Sequence, residues 1–242
     1  MDDLNSFDWV GQRPLGPAFT RSDPITLADT RFDVAKTGKP ENDTDRRLRM
    51  LRQLNLTCQA CSMCELGRQD AEKDYTCRDP HVFSNMNPSR FMVVGQGPGW
   101  DELEAREPFV GASGANFDEE LMANGCSRSD FYITNTVKCW TKGNTRPVSR
   151  NIEACEPFLR MEAKILKPKI IVALGVVAFQ ILCPGNNFSD CLKKITPSIY
   201  GSVYAMYHPS PLNINDPKRR VMFNDQMRLL CGAMARLNKN TI

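Results

Sequence analysis

Three short polar motifs in this chain sit where apolar runs stop. Gly95-Gln96-Gly97-Pro98-Gly99 follows one run, Asn135 closes a second, and His208-Pro209-Ser210 follows a third. A glycine-rich turn brings backbone close to a ligand. A carboxamide offers one acceptor and two donors, and an imidazole can donate or accept near neutral pH. The cysteines, ten in all, form a second constellation: Cys61 and Cys64 are spaced C-x2-C, Cys58 stands three residues earlier, and Cys77 lies further on. In a chain of this length that spacing favours a metal site or a background of free thiols over a disulfide framework. One reading of it is a four-thiolate zinc knot on Cys58, Cys61, Cys64 and Cys77.

The runs that must position these residues alternate in type. Residues 90–95 (RFMVVG), 130–135 (DFYITN), 169–175 (KIIVALG) and 202–207 read as strands. KIIVALG is a solid apolar run, as expected of a parallel strand covered on both faces. Helices are expected at 115–124, 151–166, 176–182 and 217–237. Strands separated by helices predict an α/β fold, a three-layer α/β/α sandwich around a short, mainly parallel sheet. In open α/β sheets ligands bind beyond the carboxyl ends of the strands, so the three polar motifs should converge on one cleft. Upstream, Leu48, Leu51, Leu54 and Leu56 suggest a short helix capped by Asp43 or Thr44, followed by a cysteine-rich loop from Cys58 to Cys77. Residues 1–42 carry Pro14, Pro17, Pro24 and Pro40 and no sustained apolar period. They are expected to be an extended or disordered arm before a domain over 43–242.

The 242 residues are 41% hydrophobic and 24% charged, within the ordinary globular range. No run approaches the ~18 apolar residues that cross a bilayer. The first residues lack the basic and apolar regions of a secretory signal. Membrane and secreted readings are set aside, and the expected compartment is cytoplasmic, where thiols stay reduced. A net charge of +3 does not by itself argue for a nucleic-acid partner, although a weakly basic chain can carry a local basic groove.

Taken together, GQGPGWDE, EPFVGASG, YITNTVKC, NTRP, ACEPFL and YHPSPL resemble the family 4, iron–sulfur uracil-DNA glycosylases, in order and at compatible spacing from about Leu54 onward. The resemblance implies a DNA repair enzyme that hydrolyses the N-glycosidic bond of uracil in single- or double-stranded DNA and leaves an abasic site, acting as a monomer. Such an enzyme must extrude the nucleotide, hold uracil by its edge, and stabilise negative charge on the leaving base. Phe109 would stack on the base and Asn135 would match its N3–H and O4. His208 would donate to O2 as that oxygen becomes negative. Gln96 and Gly97 of the first turn, and Asn144 of the KCWTKGNTRP segment, complete the expected uracil contacts.

The departure from the family lies at Gln96, where Glu is usual and orients the attacking water. Glutamine cannot take up a proton. Asp101 or Glu102 is therefore a candidate for the carboxylate, and Glu102 also resembles a residue near the uracil 5-position. A catalytically weak uracil-DNA binding protein and a zinc-stabilised DNA-binding module are the rival readings. The family's second ligand pair matches Cys139 and Cys155 and its first matches Cys61 and Cys64, which implies a structural [4Fe–4S] cluster. Leu212 resembles the wedge that fills the gap left by an extruded base. Ser113, Ser210, Lys218, Arg219 and Arg220 are candidate phosphate contacts. The reactive-histidine insertion of the covalent branch is absent.

Overall fold

The computed structural model describes residues 42–67 and 80–239; the expected N-terminal arm (all but Asn42) and Cys77 lie outside them. A five-stranded sheet forms the centre. Its strands are β1 (Phe91–Gly95), β2 (Tyr132–Asn135), β3 (Ile170–Leu174), β4 (Ile195–Ser198) and β5 (Gly201–Met206), in the order β2-β1-β3-β5-β4. β2, β1, β3 and β5 run parallel, and β4 joins the edge of β5 in antiparallel register.

The parallel strands are apolar because both faces are covered. Successive side chains point to opposite sides. Met92, Val94, Ile171, Ala173, Val203 and Ala205 pack with α1 (Asp43–Gln59), α4 (Ser149–Leu166) and α5 (Val176–Leu182). Val93, Ile133, Val172, Tyr204 and Met206 pack on the other side with α3 (Ala112–Ala123) and α8 (Pro217–Lys239). The expected three-layer sandwich is therefore present. Short helices α2 (Trp100–Ala105), α6 (Phe188–Cys191) and α7 (Pro211–Ile214) lie in the connections.

Several expected boundaries move. α1 is capped by Asn42, whose side chain accepts from the Asp45 amide, rather than by Asp43 or Thr44. It also runs through Cys58, so the thiol placed in a loop by its spacing is buried on a helix face. α3 begins at Ala112 because Gly111, extended, serves as its N-cap. β4 went unanticipated: it has one buried residue and contains Pro197, features that suit an edge strand and carry little apolar signal.

Candidate active site

The strand tips meet as the topology requires. Gly95 ends β1 and pairs in register with Asn135, the last residue of β2. A Cβ on Gly95 would fall 2.5 Å from Asn135 Oδ1 and 2.6 Å from the edge of the Phe109 ring. Only glycine lets those two side chains close over the tip of β1. His208 follows β5 and packs against Gly175, the residue after β3, whose φ of 88° and 3.2 Å clearance to His208 Cβ both favour glycine. The Phe109 and His208 rings stand 5.9 Å apart, tilted by 37°. Phe109, Asn135 and His208 therefore surround one small volume, at the base of a cleft of about 770 Å³.

Asn135 is 1% exposed, and neither its Oδ1 nor its Nδ2 has a hydrogen-bond partner. An unsatisfied buried polar group costs about 1–3 kcal/mol. Here one residue carries such a donor and such an acceptor side by side, facing the cleft, so a ligand that fills both removes the penalty. The backbone beneath it is anchored. Lys138 Nζ, wholly buried, donates to the Asn135 carbonyl at 2.7 Å, to Thr134 Oγ1 at 2.7 Å and to Glu162 Oε2 at 2.6 Å. Glu162 also accepts from Tyr132 OH at 2.8 Å and Thr134 Oγ1 at 2.9 Å. Burial pushes the Glu162 carboxyl up, and the Lys138 ammonium pulls it back.

Phe109 sits at φ 57°, a left-handed conformation that is strained for a bulky residue. Arg128 holds it there. Its guanidinium donates to the Pro108 carbonyl at 2.9 Å and to the Phe109 carbonyl, and is itself fixed by Asp118 at 3.1 Å. Gly114 makes room for the same turn, because a Cβ there would lie 1.8 Å from the Phe109 oxygen.

Glu102, one of the two candidate carboxylates, is held by backbone amides of two turns. Oε2 accepts from the Gly99 amide at 2.9 Å, and Oε1 accepts from the Val110 and Gly111 amides at 2.9 and 2.8 Å. It ties the glycine-rich turn to the Phe109 turn, and both oxygens are engaged. Asp101 lines the cleft beside Gly111, and its carboxylate makes no hydrogen bond among the described residues. The Gln96 and Gly97 expectations fall on cleft-lining residues; the Gln96 carbonyl accepts from Thr136 Oγ1 and the Val137 amide. Burial holds His208 down to about 4, with the nearby Glu102 charge pulling the other way, so its imidazole is neutral at pH 7.

Asn144 also lines the cleft, with its Oδ1 engaged by Trp140 Nε1 at 2.8 Å. Of the expected phosphate contacts, Ser113, Ser210 and Arg219 reach the lining, whereas Lys218 and Arg220 lie exposed outside it. Leu212, 78% exposed, stands on α7 just after Ser210. Arg128, Glu162 and the Trp100–Trp140 pair were not singled out from the sequence. Each acts through a partner distant in the chain, and no local pattern marks such pairings.

The cysteines lie apart from the cleft. All the described cysteines are free thiols. Burial raises Cys139, and the charges of Cys155, Cys58, Cys64 and Cys61 raise it further, so these thiols share one neighbourhood. The Cys155 thiol is pushed up to about 12 by burial and accepts from the Lys138 amide. Among the described residues no group of three or more His, Cys, Asp or Glu side chains stands ready to hold a metal ion. Clustered buried thiols are nevertheless the donor chemistry that an iron–sulfur or zinc centre takes. No described helix is long and apolar enough to cross a membrane.

A family model described as the uracil DNA glycosylase superfamily matches residues 82–230. The type-4 uracil-DNA glycosylase of Pyrobaculum aerophilum is 33% identical over 150 residues, covering 58% of this chain and 76% of the relative. That of Thermotoga maritima is 34% identical over 142 residues, covering 57% and 74%. A type-5 enzyme of Pyrobaculum aerophilum is 31% identical over 145 residues, covering 52% and 64%.

Proposed function

The chain belongs to the uracil DNA glycosylase superfamily, and from that premise we propose that it hydrolyses the N-glycosidic bond of uracil in DNA, releasing uracil and leaving an abasic site. The observation that carries this reading is the buried, unpartnered Asn135 carboxamide facing the same volume as Phe109 and His208. Uracil offers an N3–H donor beside an O4 acceptor, which satisfies both orphaned atoms at once. Cytosine presents the opposite pattern and is opposed in this orientation of the carboxamide. Phe109 supplies the stacking face.

Cleavage of the C1′–N1 bond leaves its electron pair on the base and an oxocarbenium-like sugar behind. The negative charge spreads onto O2, toward which neutral His208 donates, and that hydrogen bond strengthens as the bond breaks. Water then adds to C1′ and gives up its proton. Gln96 can orient this water only through its carbonyl oxygen, and Asp101 is the cleft-lining carboxylate left to receive the proton. Glu102 is a positioning residue here, holding the two turns that carry Gln96 and Phe109. Gly97 and Asn144 complete the base pocket. Arg219, Ser113 and Ser210 contact phosphates, Lys218 and Arg220 extend the basic surface beyond them, and Leu212 enters the stack.

We also infer a [4Fe–4S] cluster on Cys61, Cys64, Cys139 and Cys155. Its support is that these thiols, all but the half-buried Cys61 enclosed, act on one another from the end of α1, the segment past β2 and α4. The cluster would supply a covalent staple between α1, α4 and that loop, with no part in the bond cleavage. The protein would act as a monomer on single- and double-stranded substrates.

The deciding experiment is incubation with a uracil-containing oligonucleotide, followed by alkali. Strand scission at uracil, its loss in Asn135→Ala, and no scission at cytosine are expected. Intact strands together with a gel shift would leave a uracil-DNA binding protein instead.

A further inference from the structure

One indole stands at the cleft rim with a second packed against it, and neither takes part in the chemistry proposed above. Trp100 opens α2 directly after the glycine-rich turn, lines the cleft and remains 38% exposed. Trp140, from the loop past β2, meets it with ring centroids 5.2 Å apart and planes at 71°. Trp140 is fixed in turn by its hydrogen bond to Asn144, whose positive φ of 55° belongs to the same turn of the cleft wall. In such a T-shaped pair one ring offers its edge to the other's face, so the edge-on ring keeps both of its faces clear of its partner. An indole held rigid by a half-buried partner and exposed beside a nucleotide-sized cleft is unusual for a surface that only has to stay soluble.

The same loop carries positive charge. Lys142 and Arg146 are exposed, and neither is paired with an acid among the described residues. Indole faces beside unpaired cations are the composition of a single-strand binding rim, where bases stack on aromatics and the backbone follows the charge. A DNA strand with its uracil buried in the cleft must leave over the rim, so the nucleotide next to the uracil is the group that reaches these rings. Within a duplex that neighbour stays stacked in the helix and has no open face to offer.

We propose that Trp100 and Trp140, with Lys142 and Arg146, form a stacking platform for the unpaired base adjoining the extruded uracil, which favours single-stranded DNA as substrate. The proposal rests on the uracil-excision reading for its position in the substrate, and its test separates the two. Single-turnover excision is measured on matched single-stranded and duplex uracil oligonucleotides for the wild type, Trp100→Ala and Trp100→Phe. Tryptophan fluorescence is titrated in parallel with a uracil-free single strand and with its duplex.

The single-strand to duplex rate ratio should fall by at least about fivefold in Trp100→Ala, the lower end of what stacking one base contributes. Phenylalanine should restore most of it. The single strand should quench the wild-type fluorescence more than the duplex does, and Trp100→Ala should lose that excess. Equal losses on both substrates with no recovery by phenylalanine would mean that Trp100 only supports the fold, and the proposal would fall. Equal quenching by both DNAs would overturn it too. If the wild type releases no uracil, the catalytic reading fails, and the quenching result still decides the platform.

Discussion

At the residue scale the site depends on protonation states that burial sets. His208 is half-buried in the cleft wall, where desolvation holds it down to about 4, so it meets the substrate as a neutral donor. A hydrogen bond that strengthens as charge develops acts on the rate more than on binding. His208→Ala should lower single-turnover excision by about 10²–10³-fold, the range for losing one preorganised donor. DNA affinity should change only a few-fold, and equal losses in rate and affinity would remove His208 from the role. The pH profile should show no step at the usual histidine value near 6.5, since the folded imidazole stays neutral until close to 4. The linkage has a definite sign: the unfolded chain takes up this proton first, so the stability tied to a neutral His208 is complete above about 6.5. It is lost as the pH falls from there toward 4. Melting temperatures of His208→Gln should decline less over that window than those of the wild type. For the missing family carboxylate, the unengaged Asp101 and the fully engaged Glu102 make different predictions. Asp101→Asn should reduce excision by about 10²-fold, within the usual reach of general base catalysis. Gln96→Glu in that background should recover part of it. Full activity of Asp101→Asn would leave oriented water alone as the mechanism.

At the scale of elements, the question is what keeps strand tips and turns in register with the base. The tip of β2 is held from below by a buried ion pair whose ammonium reaches the Asn135 carbonyl. Lys138→Met would leave Glu162 charged and dry, which costs about 3–5 kcal/mol when one partner of a buried pair is removed. The double variant Lys138→Met with Glu162→Leu should recover much of the melting temperature, since a well-packed apolar pair replaces a buried ion pair at little loss. It should remain defective in excision, because the Asn135 carbonyl then loses the ammonium that holds it from below. Recovery of both properties would show that the pair serves stability alone. This network also marks where sequence reasoning stops. The four parallel strands and the residues at their ends were legible, because an apolar run followed by a polar residue shows both the element and the carboxyl tip where ligands bind. Glu162 lies 24 residues from Lys138, on the buried face of an amphipathic helix, and no periodic pattern predicts that a carboxylate there meets a lysine. Arg128 was equally silent, since its target is a backbone carbonyl in a turn 19 residues earlier. α2 and α7 escaped notice because helices of 6 and 4 residues carry too few turns for an apolar period.

At the scale of the whole molecule, the cleft side and the cysteine side are joined through the segment past β2. Lys138 contacts Asn135 through its side chain and Cys155 through its amide, and Cys139 follows it directly. Separate elements therefore converge on one short stretch. α1 carries Cys58 and leads into Cys61 and Cys64, while α4 carries Cys155. A cluster holding thiols from all of them would link the outer helices to the loop that supports base recognition, so its loss should register in stability as well as in activity. The ligand assignment is testable because five thiols share this neighbourhood and a cubane takes four. The protein as purified should be brown, with broad absorbance near roughly 400 nm from thiolate-to-iron charge transfer. Single Cys→Ser changes at Cys61, Cys64, Cys139 and Cys155 should each remove that absorbance and lower the melting temperature. Cys58→Ser should keep the colour, since Cys58 packs on the buried face of α1 and is assigned no iron. Loss of colour in Cys58→Ser with retention in one of the others would exchange those two ligands. A colourless wild type containing stoichiometric zinc would replace the cluster with a zinc knot and leave the cleft chemistry to be judged by its own tests.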